Sequence, residues 1–177
     1  DAFQGVPTEV EWFTLVYNVK MARKLTKKKE KKVVMVSGGF DPVHIGHVRM
    51  FEEAKKLGDE LVVVINNDHW LKFKKGDTFM SDADRKEIIE SLRPVDRVVL
   101  TSHEPGTTDI TVCRELESIR PHIFANGGDR KENVPAPEYE VCERLGIEMV
   151  FNVGHGGKVR SSSELVKKVA KIKTKKK

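Results

Sequence analysis

The chain has 177 residues, a net charge of +5 and a hydrophobic fraction of 38%. That length suits one domain, and the apolar fraction is too high for a wholly disordered chain. No apolar run approaches the roughly 18 residues of a membrane span. Two cysteines without a Cys-x-x-Cys pair exclude a disulfide framework and a cysteine-based zinc site as organising principles. The opening residues do not resemble a secretory signal, so we expect a cytoplasmic protein.

Positive charge is concentrated towards the two ends of the chain. Residues 20–32 hold eight Lys and Arg, and residues 167–177 hold seven Lys. The stretch 33–166 holds 17 basic and 23 acidic residues, a net charge of −6. An acidic body does not favour a nucleic-acid-binding fold, so we expect no nucleic-acid partner. The pattern divides the chain into an amphipathic helix with a basic linker (1–32), a domain (33–166) and a basic tail (167–177).

Hydrophobic periodicity predicts a helix over residues 8–25, after which short apolar runs alternate with helical patterns. Several of the runs are continuously apolar, as in parallel sheets that are covered on both faces. The sequence therefore predicts an α/β fold with a doubly wound parallel five-stranded sheet, and ligands at the carboxyl ends of its strands. Strands are predicted at 33–36, 60–66, 95–100, 122–125 and 147–151, and helices at 45–57, 82–92, 110–119, 136–145 and 161–173.

The junction between the first strand and the next helix, residues 38–47, reads GGFDPVHIGH. Its glycines allow a close approach of the backbone to a ligand, and the helix start offers free N–H groups to an anion. His44 and His47 are three residues apart, so both imidazoles face the same way. Gly46 leaves room between them for a bulky group such as a triphosphate. Two imidazoles at a helix start can donate hydrogen bonds that strengthen as charge builds on phosphate oxygens.

Other interpretations of the two histidines are weaker. A lone histidine is most often a satisfied core or capping residue, but here the turn, the helix start and both imidazoles coincide at a ligand-binding junction. A zinc site built on His-x-x-His lacks an obvious third ligand. The junction therefore favours a phosphate-binding function.

The string GGFDPVHIGH resembles the signature of the cytidylyltransferase-like nucleotidyltransferases, which carry a His-x-Gly-His motif. Further segments follow in the order of that family over residues 33 to about 170: Asn66-Asn67-Asp68, Lys75-Gly76-Asp77, Arg85, 92–96, Asn126-Gly127-Gly128-Asp129 and Arg160-Ser161-Ser162-Ser163. The resemblance implies a Rossmann-like nucleotidyltransferase fold. It also implies transfer of a nucleoside monophosphate from CTP or ATP to a small phosphorylated alcohol or sugar, with release of pyrophosphate.

The resemblance also implies roles for individual residues. The residues that it implies in catalysis are His44, His47, Lys75 and Arg93. Nucleotide binding falls to Gly38, Gly39, Phe40, Asp41, Gly46, Gly128, Asp129, Arg160, Ser161, Ser162 and Ser163. Acceptor binding falls to Asn66, Asp68, Trp70 and Lys72. Without the resemblance, Lys72 and Lys75 belong to a solvated basic loop, Arg93 is a dipole partner at a helix end, and Ser161 is a helix cap.

The resemblance implies Mg²⁺ bound mainly through the nucleotide triphosphate, and no metal site made by the protein itself. It also implies a homodimer, in which the apolar face of the first helix suits a subunit contact. Membrane contact is not expected, because Glu9 and Glu11 give that helix a weak membrane-surface pattern.

The choice between CTP and ATP stays open, with a preference for CTP. One alternative is a cofactor adenylyltransferase that acts on pantetheine phosphate or a mononucleotide. Another is a non-catalytic nucleotide-binding protein that uses its basic ends to hold an anionic surface. A class I aminoacyl-tRNA synthetase is not expected, because these 177 residues leave no room for a tRNA-reading domain and lack the Lys-Met-Ser-Lys-Ser loop.

Overall fold

The computed structural model describes residues 9–10, 12–14, 17–18, 30–127, 136–154 and 160–174. The chain divides into two compact units, residues 1–30 and 31–177. In the first unit residues 9–10, 12–14 and 17–18 are helical, as predicted, and Val10 and Phe13 are about three-quarters exposed. The other residues of the predicted helix 8–25, and most of the basic linker, lie outside the described residues.

The second unit alternates strands and helices, as the sequence predicts. In chain order its elements are β1 (Val33–Gly38), α1 (Ile45–Lys55), β2 (Glu60–Ile65), α2 (Asp68–Lys75), α3 (Asp82–Glu90), β3 (Arg97–Leu100), α4 (Cys113–Ile119), β4 (Ile123–Gly127), α5 (Pro137–Leu145), β5 (Glu148–Val153) and α6 (Ser162–Thr174). The strands form one five-stranded sheet in the order β3-β2-β1-β4-β5. All neighbouring strands are parallel, so the predicted α/β fold is confirmed.

The order of the strands reverses at β1. From β1 the chain moves to β2 and β3 on one side, and it then returns to place β4 and β5 on the other. β1 pairs with β2 from Val33 to Gly38 and with β4 at Val34 and Met35. Connections that leave β1 and β4 in opposite directions open a crevice at the carboxyl ends of these strands, which is where such sheets bind ligands.

A separate hydrophobic core covers each face of the sheet. On one face Phe51 of α1 and Ile89 of α3 pack with Val34 and Val36 of β1. On the other face Leu116 of α4 and residues of α5 pack against Met35, which lies between those two valines. Because successive side chains of a strand point to opposite faces, a strand covered on both sides must be apolar at every position. This explains the continuous apolar runs.

Helix α2 is absent from the sequence-based prediction, which treats residues 66–81 as a loop. The helix begins after Asn67, whose Oδ1 accepts a hydrogen bond from the N–H of Trp70 (3.0 Å), and ends at Gly76, whose φ is +89°. The helix has only eight residues, fewer than the roughly 11–18 residues over which hydrophobic periodicity identifies a helix, and only Leu71 is buried. A polar N-cap and a C-terminal glycine were the available signals.

Helix α6 continues across the boundary between residues 166 and 167, at which the sequence-based division separates the domain from the basic tail. Residues 175–177 lie outside the described residues. No helix among the described residues has the length and apolar character needed to cross a membrane.

Candidate active site

The loop between β1 and α1 is held in place by the ring of Phe40. This residue is 4% exposed and has a positive φ of 49°. Its ring makes edge-to-face contacts with His47, at 4.9 Å between centroids, and with Phe51, at 5.2 Å. Phe40, which the resemblance assigns to nucleotide binding, therefore supports the imidazole of His47 from the side of the core.

Gly38 is required by the same packing, because a Cβ there would lie 2.9 Å from Cζ of Phe40. We expect Gly38→Ala to lower the free energy of unfolding by about 1–3 kcal/mol, the usual cost of overpacking. Urea denaturation measures the loss. The double variant Gly38→Ala/Phe40→Leu lacks the clashing atom and is expected to recover part of it. Unchanged stability in Gly38→Ala would contradict the proposed steric role.

His44 and His47 form a stacked pair at the start of α1. Their ring centroids are 3.7 Å apart and the planes differ by 16°. Nδ1 of His47 accepts a hydrogen bond from the backbone N–H of His44 (3.3 Å). Neutral His47 consequently carries its proton on Nε2, which makes that nitrogen a hydrogen-bond donor. Nδ1 of His44 is buried and has no hydrogen-bond partner among the described residues.

Both imidazoles are held in the neutral form. Burial lowers the pKa of His44, the charge of Arg160 lowers it further, and a backbone hydrogen bond opposes both effects. Burial, followed by the charges of His44 and Lys75, lowers the pKa of His47 to about 3. A phosphate beside the pair would raise both pKa values, because a negative charge favours the imidazolium form.

Helix α2 brings Lys75 to the glycine loop. Lys75 is its last residue, and its Nζ lies 3.6 Å from the position that a Cβ of Gly39 would occupy. Burial lowers the pKa of the amine, while the charge of Asp41 raises it and that of Arg85 lowers it. Lys72 lies one turn earlier on the helix and is exposed. The structure thus joins Lys75, but not Lys72, to the glycine loop.

The start of α6 lies against the loop that precedes α1. Ser162 Oγ donates a hydrogen bond to the carbonyl of Pro42 (3.0 Å). Two helix N-termini therefore converge near the histidine pair, and both present positive dipole ends suited to phosphate. Ser161 is half-buried at the same helix start, and Gly46 lies in the first turn of α1. Ser163 lines a neighbouring cavity of about 440 Å³ together with Lys75 and Lys167.

A fully buried arginine, to which the sequence assigned no role, connects the loops of the site. Nη1 of Arg85 donates to the carbonyls of Gly39 and Asn66, both at 2.7 Å. Nη2 donates to Oδ1 of Asp68 at 2.7 Å, and Nε donates to the carbonyl of Met80 at 3.2 Å. Asp68, expected to bind the acceptor, is thus an ionic partner of Arg85. Arg85 fixes the loops that follow β1 and β2 relative to each other.

Asp41 ties the glycine loop to the segment before α3. The two oxygens of its buried carboxylate accept hydrogen bonds from the backbone N–H groups of Phe79 and Met80, each at 2.8 Å. The sequence predicts a nucleotide contact at Asp41. The structure shows a carboxylate that orients the loop.

The crevice at the switch point contains a pocket of about 270 Å³. Gly38, His47 and Met50 line it from β1 and α1, and Asn126 and Gly127 line it from β4. Trp70 of α2 lines it as well and donates from Nε1 to the carbonyl of Ile110 (3.0 Å). Met50 was not identified from the sequence, because only the packing of α1 against the end of β4 brings it to the pocket. Asn126 belongs to the segment Asn126-Gly127-Gly128-Asp129, which carries part of the resemblance.

Arg93 is not brought to the histidine pair. It is exposed in the turn between α3 and β3, the same turn in which the N–H of Asp96 donates to the carbonyl of Leu61 (3.1 Å). Leu61 stands at the beginning of β2, so this turn lies at the amino ends of the strands, opposite the pocket. Gly128 and Asp129 lie outside the described residues.

The chain matches the model of the cytidylyltransferase-like family over residues 35–150. It is 35% identical over 171 residues to bifunctional protein HldE of Actinobacillus succinogenes, and the aligned region covers 96% of this chain and 33% of that protein. It is 40% identical over 116 residues to FAD synthase of Aciduliprofundum boonei, and this aligned region covers 66% of this chain and 73% of that protein. The chain therefore spans about a third of the length of the HldE relative.

Among solved structures, the lipopolysaccharide core biosynthesis protein from Thermoplasma volcanium superimposes with a TM-score of 0.56 and 30% identity. The match covers 69% of this chain and 96% of that chain. It supports the same α/β architecture that the sheet order describes.

Proposed function

We propose that the chain, which belongs to the cytidylyltransferase-like family, is a nucleotidyltransferase. It acts on a small phosphorylated alcohol or sugar. The acceptor phosphate attacks the α-phosphorus of a nucleoside triphosphate, a new phosphoanhydride bond forms and pyrophosphate leaves. The observation that carries the proposal is the stacked His44–His47 pair between two converging helix starts. These groups offer hydrogen-bond donors and positive dipole ends where the phosphate charge develops.

In this proposal catalysis consists of positioning and charge stabilisation. The acceptor phosphate is already an anionic nucleophile, so no covalent enzyme intermediate is needed. Nε2 of His47 donates to a non-bridging oxygen of the α-phosphate, and the amine of Lys75 neutralises charge on the phosphates from the side of the glycine loop. The starts of α1 and α6 bind the leaving pyrophosphate.

The fold family also implies Mg²⁺. Among the described residues, no three His, Cys, Asp or Glu side chains gather in a way that could hold a metal ion. Mg²⁺ held mainly by the triphosphate, as the resemblance implies, stays a prediction; when bound, the ion would neutralise phosphate charge.

Each donor nucleotide has one line of support. The family description refers to cytidylyl transfer, in line with the sequence-based preference for CTP. FAD, the product named for one relative, contains an adenylyl group, which favours ATP. The preference for CTP stays a prediction. An acceptor of the cofactor type is the second candidate function, and the FAD synthase relatives favour it.

We expect the magnesium complex of one of the two nucleotides to raise the Tm. A ligand at 100 times its Kd adds about 2.7 kcal/mol to the free energy of unfolding. Differential scanning fluorimetry with ATP, CTP, GTP and pyrophosphate measures the shift, and pyrophosphate release with phosphorylated acceptors then tests turnover. A nucleotide that binds without any turnover would favour the non-catalytic alternative. The absence of any shift would contradict nucleotide binding.

A further inference from the structure

The second half of α2 lies along the glycine loop. Nζ of Lys75 is 3.6 Å from the position that a Cβ of Gly39 would occupy, and Cδ2 of Leu71 is 3.0 Å from the same point. Leu71 precedes Lys75 by four residues, so the two side chains share one face of the helix. Leu71 is fully buried. The face of α2 that meets the glycine loop therefore carries one apolar contact and one amine.

The other end of α2 is fixed to the loop that follows β3, residues 101–112. Asn67, which is 8% exposed, donates from Nδ2 to the carbonyls of Thr101 (3.1 Å) and His103 (2.7 Å). Its backbone N–H donates to Oγ1 of Thr101 (3.0 Å). We call these three hydrogen bonds the Asn67 clamp. Oδ1 of the same side chain accepts from the N–H of Trp70, so a single buried amide both caps the helix and clamps it.

The part of the loop that receives the clamp is itself held in place. Thr101 and His103 are 4% and 7% exposed. The N–H of Thr101 donates to the carbonyl of Ile65 (2.9 Å), and its Oγ1 lies 2.8 Å from Nδ1 of His103. Asn67 is therefore attached to a buried segment that continues from the sheet.

Capping alone does not account for an amide at position 67. An N-cap uses only a side-chain oxygen, and serine or aspartate caps a helix about as well as asparagine. The two N–H groups of Nδ2 are an additional feature, and both of the bonds that they make lead to the loop after β3. Asn67 thus links the position of the whole helix to that loop.

The length of α2 turns a small change at its start into a large one at its end. Eight residues span about 12 Å, so a tilt of about 5° at the first turn moves the far end by roughly 1 Å. Residues 72–75 of the last turn are exposed, which leaves Leu71 and the first turn to set the orientation. A misplacement of about 1 Å can lower a catalytic rate about 10²-fold.

We propose that Asn67 is a positioning residue for nucleotidyl transfer, which holds the amine of Lys75 at the glycine loop through the rigid body of α2. The inference rests on the proposed function, in which Lys75 neutralises phosphate charge. Charged groups that are already in place when the reaction begins need no reorganisation in the transition state. Asn67 stands at the opposite end of the helix and acts through Lys75.

The test uses Asn67→Ser, which keeps an oxygen for the cap but lacks both N–H donors of the clamp. We expect kcat/KM for pyrophosphate release to fall about 10- to 100-fold. In a Lys75→Ala background the same substitution should change it by less than about 2-fold, because the two residues act as one unit. Ile147→Val is the control, since it removes a buried methyl group just before β5 and should lower only the Tm. Equal effects of Asn67→Ser in both backgrounds would overturn the inference.

A second measurement does not depend on turnover. Acetylation with acetic anhydride, quantified by mass spectrometry, gives the reactivity of Lys75 relative to the exposed Lys74 of the same helix. We expect Asn67→Ser to change this ratio and Ile147→Val to leave it unchanged. Thr101→Val, which removes the acceptor of the Asn67 N–H, should change it in the same direction as Asn67→Ser.

The two measurements separate failure of the clamp from failure of the proposed function. An unchanged acetylation ratio in Asn67→Ser would overturn the inference, whatever the activity, and leave nucleotidyl transfer standing. If the wild-type chain gave no turnover and no nucleotide shifted its Tm, the proposed function would fail, and the inference with it.

Discussion

Replacement of His47 by alanine is expected to lower kcat/KM for nucleotidyl transfer about 10²- to 10³-fold. The change removes the Nε2 donor that the hydrogen bond between His44 N–H and His47 Nδ1 holds towards the pocket. Loss of one donor aimed at a developing negative charge typically has an effect of this size. His44→Ala is expected to act similarly, since it also removes the stacking partner. Steady-state pyrophosphate release measures both effects.

Two further variants test whether loss of the Nε2 donor causes this decrease in activity. His47→Gln can place an N–H group near the position of Nε2 and should retain more activity than His47→Ala. His69→Ala, at an exposed position of α2, should leave activity unchanged. Near-normal turnover in His47→Ala, with a fold confirmed by circular dichroism, would refute the catalytic assignment.

Replacement of Arg85 by alanine is expected to lower the free energy of unfolding by about 3–5 kcal/mol. The guanidinium is fully buried and makes four hydrogen bonds, one of them within the ion pair with Asp68. Removal of one partner of a buried pair leaves the other charge and three carbonyls without a donor, which has a cost of this order. Total stabilities are typically about 5–15 kcal/mol, so the loss is a large fraction of the whole.

Urea denaturation measures the effect of Arg85→Ala, and Arg97→Ala is its control. Arg97 forms an ion pair with Glu60 at 3.3 Å, with its own side chain about half exposed. Exposed pairs contribute about 0–1 kcal/mol, so the control should be nearly neutral. Arg85→Lys keeps the charge but cannot reach three carbonyls and a carboxylate at once, and is expected to resemble Arg85→Ala. Equal losses in the Arg85 and Arg97 variants would contradict the network described here.

The layered fold was predictable because a strand covered on both faces leaves a continuous apolar run in the sequence. The order of the strands was not, since it depends on which edge each strand joins. Helix α2 was missed because its eight residues are too few to establish a hydrophobic periodicity. The histidine pair was found because the turn, the helix start and both imidazoles lie within ten residues.

The other parts of the site depend on long-range packing. Glu138 and Asn126 reach the pocket from segments far from the glycine loop in sequence. Arg93 was assigned to catalysis by resemblance, yet its turn lies at the amino ends of the strands. For Arg85 a local signal existed, because it precedes the buried Ile89 by four residues and therefore shares its helix face. A charged residue on the buried face of a helix predicts a satisfied internal partner.

The hydrogen bond between Ser162 and Pro42 spans 120 positions of the chain. A growing polypeptide that has reached Val153 already contains every strand of the sheet, but not the helix start that closes against Pro42. During synthesis the sheet and the helices between its strands can thus assemble before the start of α6 closes against Pro42. If the start of α6 binds phosphate, as proposed above, nucleotide binding follows this closure.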